Sequence, residues 1–308
     1  MMRTQVALIK RELWEHRAIL IVPIVIAAVE SLGSVVTQVS VSGADQVVDM
    51  ALLGATNLGE NERAAMIHVF LTAFSFLFVL AMGILTIFYA LDALYTERKD
   101  KSILFWRSLP VTDAETVVSK LLTAALVIPL VTLVMIAITH VIVLVITSIW
   151  VAARGANAWH LIWTAAPLFD NWMTTLILLL AWSICVSPFL GWFLLVSAFT
   201  KRSPFLIAFL PPVVILMLER ILLGSWLFRD MLLERMPVNV PIFAGFDGAE
   251  LLFDDESELM ELAERGLSFL SLLDVPGFLA SADVWIGIIV CGLFSFGAVY
   301  VRRYRDDS

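Results

Sequence analysis

Glu30, His140, Glu219 and Arg220 interrupt otherwise apolar runs of this sequence. Ionisable groups inside a bilayer are costly, and they commonly face a bundle interior or a water-filled path, where carboxylates and imidazoles relay protons or meet polar cargo. Glu219 and Arg220 are adjacent, so on a helix they point roughly 100° apart and pair poorly with each other. Both suit a position near the outer interface. Glu30 fits a pathway or an interface equally well. His140 reads first as a hydrogen-bond link between helices and second as a substrate ligand. Glu30 and His140 are therefore the candidate residues of a translocation path.

A second group needs a different explanation. The stretch Glu97-Arg98-Lys99-Asp100-Lys101-Ser102-Ile103-Leu104-Phe105-Trp106-Arg107-Ser108-Leu109-Pro110 moves from dense charge to a bulky apolar cluster and stops at proline. A plain connector has no need of such a cluster. Exposed aromatics rimmed by charge resemble a docking surface for another protein. The alternative is a segment that dips into the lipid interface.

Much familiar chemistry is missing from the sequence. His16, His68, His140 and His160 are scattered, and there is no HExxH pattern. No Gly-x-Ser-x-Gly occurs, and no glycine pair of phosphate-loop spacing is followed by Lys. The chain therefore lacks that route to binding ATP. Cys185 and Cys291 both sit in apolar runs and form no disulfide framework. A net charge of −8 argues against nucleic-acid binding.

The elements that must position these residues are membrane spans. Of 308 residues, 60% are hydrophobic and 16% charged, with a mean hydropathy of +0.93. Soluble domains carry about a quarter charged residues, so this chain has too little polar surface to coat a water-soluble core. Formal charge is absent from residues 64–91, 121–153, 171–200 and 284–301. Residues 18–44 and 203–228 are nearly as apolar. A spanning helix needs roughly 20 apolar residues, which gives six spans at about 18–41, 64–95, 113–152, 171–200, 204–227 and 283–301. With both termini inside, Lys and Arg concentrate in the cytoplasmic segments, among them Arg3, Lys10, Arg98, Lys101, Lys120, Lys201 and Arg302.

Local signals place the ends. Thr112 and Glu115 have capping-box spacing at the start of span three. Ser203-Pro204 starts span five, and Asp170 and Ser281 are candidate N-caps for spans four and six. Trp150, Trp159, Trp163 and Trp172 suit an aromatic belt at the outer ends of spans three and four. Pro23, Pro129, Pro188 and Pro211-Pro212 predict kinks. Residues 1–17 read as an amphipathic interfacial helix, with Val6, Ile9 and Leu13 on one face and Lys10, Arg11, Glu12, Glu15 and Arg17 elsewhere. The outer segment, residues 229–282, is strongly acidic; residues 256–273 could form an amphipathic helix, and the whole is expected to cap the outer ends of the spans. Its acidic run reads as a solvated face.

The stretch Glu97–Thr112, followed by Val118-Ser119-Lys120, resembles the cytoplasmic loop of ABC transporter permease subunits of the type-two export family. Only this stretch of the chain carries a motif; the rest of the resemblance is one of layout. It implies an all-α, six-span, N-in/C-in membrane protein with a coupling helix over 97–109. It implies a permease that exports its cargo by drawing on ATP hydrolysed elsewhere. Carried over by position, Glu97, Arg98, Lys101, Ser102, Ile103, Leu104, Phe105, Trp106 and Arg107 become the contact with a separate ATP-binding subunit. The implied partners are two copies of that subunit, a second permease chain (identical or related) and membrane lipids, with ATP and Mg on the partner rather than here. The implied location is a bacterial inner membrane. The long acidic region before the last span departs from the family's short re-entrant helix pair. The competing readings are a gradient-driven secondary transporter or channel using Glu30 and His140, and an intramembrane enzyme, for which no catalytic pair is recognisable.

Overall fold

The computed structural model describes residues 2–41, 54, 56–101, 111–233, 235, 242 and 268–304. Every regular element among them is helical. We number the helices in chain order: α1 (Met2–Glu15), α2 (Ala18–Val41), α3 (Glu60–Asp92), α4 (Tyr95–Lys99), α5 (Asp113–Leu122), α6 (Ile128–Ala153), α7 (Leu168–Cys185), α8 (Ser187–Phe199), α9 (Pro204–Leu222), α10 (Leu227–Leu233), α11 (Val275–Ala280) and α12 (Ala282–Tyr304). Six helical segments are long and apolar enough to cross a membrane. The chain is thus an all-helical, multi-pass membrane protein by length and composition.

Prolines shape these helices through the bonds they cannot make. Pro129 has no N–H for the carbonyl four residues back. Just before it, Thr123–Val127 widens into a π-helical turn that joins α5 to α6. Pro188 accompanies the break at Val186 that separates α7 from α8. Pro212 leaves the carbonyl of Ala208 without its helical donor, and the Trp192 indole N–H of α8 donates to it at 3.0 Å. The kink-prone proline of one span is thereby tied to its neighbour. Gly155, at φ +80°, follows the last turn of α6, where only glycine adopts the left-handed backbone without strain.

The capping box is present: Thr112 Oγ1 accepts from Glu115 N at 3.2 Å, and Glu115 Oε2 accepts from Thr112 N at 2.9 Å. Two other expected caps fail. Ser203 makes no capping hydrogen bond to α9, and Asp170 lies inside the first turn of α7, which starts at Leu168. Trp172 is not a belt residue, because its indole turns inward to His140. Of the expected helix at 256–273, residues 256–267 lie outside the described residues. Phe269–Leu272 is a 3-10 turn instead, and Leu273 is extended.

Helix α8 packs most extensively on α12, and α2 on α6. Gly191 permits the first contact, since a Cβ there would lie 2.8 Å from the Cys291 carbonyl oxygen. Close backbone approach through small residues is how helices associate when lipid is as apolar as their side chains. The largest buried cluster includes Met82, Tyr89, Leu94, Ile128, Leu190 and Leu194. α9 is the peripheral span, with Phe205, Leu206, Leu210, Met217 and Ile221 exposed.

The spans containing α3 and α5–α6 cover 40 and 41 residues. At 1.5 Å per residue each is about 60 Å long, against a hydrocarbon core of about 30 Å. Their ends must project beyond the lipid. One end of the bundle carries Glu12, Glu97, Lys120 and Arg302 (the near end); the other carries His68, His140 and Asp170 (the far end).

Candidate functional site

At the near end, charge is buried. Glu12 and Lys120 are each 0% exposed, and Glu97 and Arg302 each 5%. Ions so removed from water persist only when closely paired and hydrogen-bonded, and these are. Lys120 Nζ reaches Glu12 Oε1 at 2.9 Å and Glu97 Oε1 at 3.0 Å. Tyr89 donates its hydroxyl to Glu12 Oε2 at 2.9 Å. Arg302 donates from NH1 to Glu97 Oε2 at 2.6 Å and from Nε to Asp113 Oδ1 at 2.8 Å. Arg11 adds a further pair with Glu97 and one with Glu15.

This hub joins α1, α3, α4, α5 and α12, segments far apart in sequence. Each helix presents its charge for a local reason. Leu8 and Glu12 are one turn apart on the buried face of α1, while Val6 is 65% exposed. Of the expected apolar face, Val6 is exposed, Ile9 is half-buried and Leu13 packs against the main core cluster; Glu12 does not lie with the solvated charges. Lys120 follows the capping box by two turns and shares the buried face of α5 with Thr116 and Val117. Asp113, in the first turn of that helix, is well placed against the helix dipole. Its carboxylate also holds Arg302.

The hub also fixes the start of residues 97–110. Ser197 of α8 accepts with its Oγ from the backbone N–H groups of Leu94 at 3.0 Å and Tyr95 at 2.9 Å. Its hydroxyl thus caps the N-terminus of α4, a helix distant in sequence. Arg98 donates to the carbonyls of Ser197 at 2.6 Å and Thr200 at 2.7 Å. Lys101 then ends the segment at φ 57°, the left-handed region that a β-carbon disfavours. Glu97 and Arg98 are thus turned into the bundle, and Lys101 is exposed. Ser102, Ile103, Leu104, Phe105, Trp106 and Arg107 lie outside the described residues.

His16, between α1 and α2, packs edge-on to Tyr89, with ring centroids 4.9 Å apart. Burial lowers its pKa below the usual 6.5, against the pull of Glu12 and with the push of Lys120. His16 also lines a groove of about 380 Å³ with Ile19, Phe88, Asp92, Tyr95 and Phe205. Glu12, Glu15 and His16 come within metal-ligating distance of one another, but Lys120 and Arg11 already occupy the carboxylates. The hub therefore does not suit a cation.

The far end is built from hydrogen bonds. His140 is fully buried on α6. Trp172 Nε1 of α7 donates to His140 Nδ1 at 3.3 Å. This assigns the remaining ring proton to Nε2, which faces Ser75 Oγ of α3 at 3.2 Å. The Ser75 hydroxyl donates onward to the Leu71 carbonyl at 3.2 Å. His140 thus links three spans and uses both nitrogens to do so. Glu30 is half-buried on α2, and its Oε2 has no hydrogen-bond partner among the described residues. Glu219 accepts from Ser225 Oγ at 2.7 Å and Phe228 N at 3.0 Å, and Arg220 donates to the Gly224 carbonyl at 2.8 Å. Those two residues are absorbed in the turn after α9.

Sequence reading missed Glu12, Asp113, Lys120 and Arg302 as a unit. The available signal was Lys120, a lysine two turns inside a helix and directly ahead of the apolar run 121–153. Comparison of the chain with protein-family models, with curated proteins and with solved structures finds no match in any of the three.

Proposed function

We propose that this chain is the membrane-spanning permease subunit of an ATP-driven exporter, worked by a separate ATP-binding subunit. The observation that carries the reading is the buried hub that holds Glu97, beside the clamp on Arg98. A lever must be rigidly joined to what it moves. Here Glu97 and Arg98 clamp the base of the loop to α1, α5, α8 and α12, so that a push on residues 102–107 is delivered to several spans together. The sequence of that loop resembles the coupling segment of type-two ABC export permeases, and the absence of a phosphate loop from the sequence supports an engine on another chain. In this reading Glu97 and Arg98 anchor the loop, while Ile103, Leu104, Phe105, Trp106 and Arg107 meet the partner. The chain acts with a second permease chain in a bacterial inner membrane, its loop and termini on the cytoplasmic side.

The test is co-purification with a phosphate-loop ATPase co-expressed from the source genome. Phe105→Ala/Trp106→Ala is expected to abolish the association while leaving the melting temperature unchanged. Cargo movement that proceeds without any ATPase overturns the reading. The unpaired Glu30 Oε2 favours one competitor, a gradient-driven transporter. That competitor requires Glu30→Gln to abolish ion-coupled flux in the absence of an ATPase.

A further inference from the structure

The far end of the bundle is closed by a short piece of chain. Residues 268–272 lie across α3 and α7, and what holds them is small. Ser268 donates its hydroxyl to Asp170 Oδ1, and the Leu270 N–H points at the same oxygen at 3.4 Å. The Phe269 ring stacks on the His68 imidazole, with centroids 4.0 Å apart and planes 8° from parallel. Among the described residues, Asp170 and His68 make the side-chain hydrogen-bond and stacking contacts of this turn, which also packs on α7.

The ground beneath is polar and poorly satisfied. Asn171 is 2% exposed and His68 5% exposed. Asn171 Nδ2 lies 3.5 Å from His68 Nε2 and 3.2 Å from Thr72 Oγ1. Asn171 Oδ1 and His68 Nδ1 are buried without hydrogen-bond partners among the described residues, and Asp170 Oδ2 stands 3.7 Å from that His68 nitrogen. Buried polar atoms without partners are destabilising, and water would satisfy them at once.

The chain beyond the turn is firmly held. The Asp274 N–H donates to the Ile242 carbonyl at 2.7 Å. The Asp274 carboxylate accepts from Gly277 N at 2.9 Å, capping α11. Ile242 is 1% exposed and packs with Phe278, Val284 and Cys185. Leu273–Asp274 is therefore a fixed pivot beside the turn that rests on Asp170 and His68.

We propose that residues 268–272 form a removable cap, seated by Phe269 on His68, whose displacement opens the far end of the bundle onto the polar patch of His68 and Asn171. The proposal rests on reading the chain as a conduit, but not on ATP as its energy source. Its test uses no ATPase, so its failure is separate from failure of the association at Phe105 and Trp106.

The reporter is Asn171→Cys in the full chain, in sealed vesicles, labelled with a charged, membrane-impermeant maleimide. Labelling is expected to be slow. Adding Phe269→Ala should speed it at least tenfold, and Phe269→Tyr, which keeps the ring, should not. Equal rates for the alanine and tyrosine versions overturn the proposal. Should Phe269→Ala fail to fold, hydrogen–deuterium exchange on the unaltered chain decides. The amides of Leu270–Leu273 must exchange at least a hundredfold faster than those of Leu178–Ser183; equal protection overturns the cap.

Discussion

The two ends of this bundle solve the same problem by opposite means. Each must hold several helices together. The near end does so with ions: Glu12, Glu97, Lys120 and Arg302 are out of water, and each acid faces a base. The far end does so with His140, Ser75, Trp172, Asn171 and a stacked phenylalanine. A buried ion pair tolerates no half measures, because removing one member strands the other. A neutral hydrogen bond contributes about 1 kcal/mol net and can be exchanged with water. The near end is thus built to move as one body, and the far end to come apart locally.

The largest effect that could break this contrast lies in the hub. Lys120→Ala leaves Glu12 with Tyr89 as its remaining close hydrogen-bond partner and removes one base from Glu97. Stranding a buried charge of this kind costs about 3–5 kcal/mol. The expected outcome is a sharp fall in melting temperature in detergent. Glu12→Gln combined with Lys120→Met should recover much of the loss, because the pair is then removed together. A loss no greater than that of an exposed lysine would mean that the near end is not held by charge.

At the far end the expected loss is smaller. His140→Leu keeps the volume but leaves the Trp172 indole and the Ser75 hydroxyl without the ring. The indole N–H then lacks its acceptor, while the Ser75 hydroxyl keeps its bond to Leu71; an unsatisfied buried donor costs about 1–3 kcal/mol. Thermal unfolding of His140→Leu beside Lys120→Ala therefore ranks the two ends directly, and a reversed order would overturn the comparison.

Six apolar spans were legible in the sequence because bilayer length and apolar composition are local properties, but the expected fourth, 171–200, is two helices, Leu168–Cys185 and Ser187–Phe199, broken at Val186. The Thr112–Glu115 box was legible because its two partners are three residues apart. The hub was not, since Glu12 and Lys120 lie 108 positions apart, and the place of Lys120 ahead of an apolar run does not name its partner. Asp170 shows the same limit: its type and place suggested a cap, but tertiary contacts with Ser268 and His68 took it over. His140 was legible as a link between helices, though not its partners. The candidate path through Glu30 and His140 is less coherent in three dimensions, because His140 spends both nitrogens on helix contacts.

His16 sharpens the contrast through pH. Its pKa in the fold lies below 6.5 because burial disfavours the imidazolium, Lys120 opposes it, and Glu12, Asp92 and Glu15 only partly compensate. The unfolded chain therefore binds a proton more readily than the folded one below about pH 6.5. Stability from this group is complete above that pH and declines as the pH falls toward 5. His16→Phe, which keeps an aromatic ring against Tyr89, is expected to flatten the melting temperature between pH 7.5 and 5.5. An unchanged slope would place the near end's pH response elsewhere.

The smallest effect concerns the outlet of the hub. Lys101 sits at φ 57°, a conformation that costs a residue with a β-carbon about 1 kcal/mol and glycine almost nothing. Its side chain is exposed, so Lys101→Gly removes no packing. Glycine also widens the unfolded ensemble, which offsets part of the gain. The net expectation is a stabilisation of a few tenths of a kcal/mol up to about 1 kcal/mol, read by thermal unfolding. The same change makes the backbone between the clamped Arg98 and Phe105 more pliable. If the loop acts as a lever, partner-stimulated ATP hydrolysis should then fall although the protein is no less stable. Stability and coupling moving together in this variant would instead mean that Lys101 merely links two segments and transmits nothing.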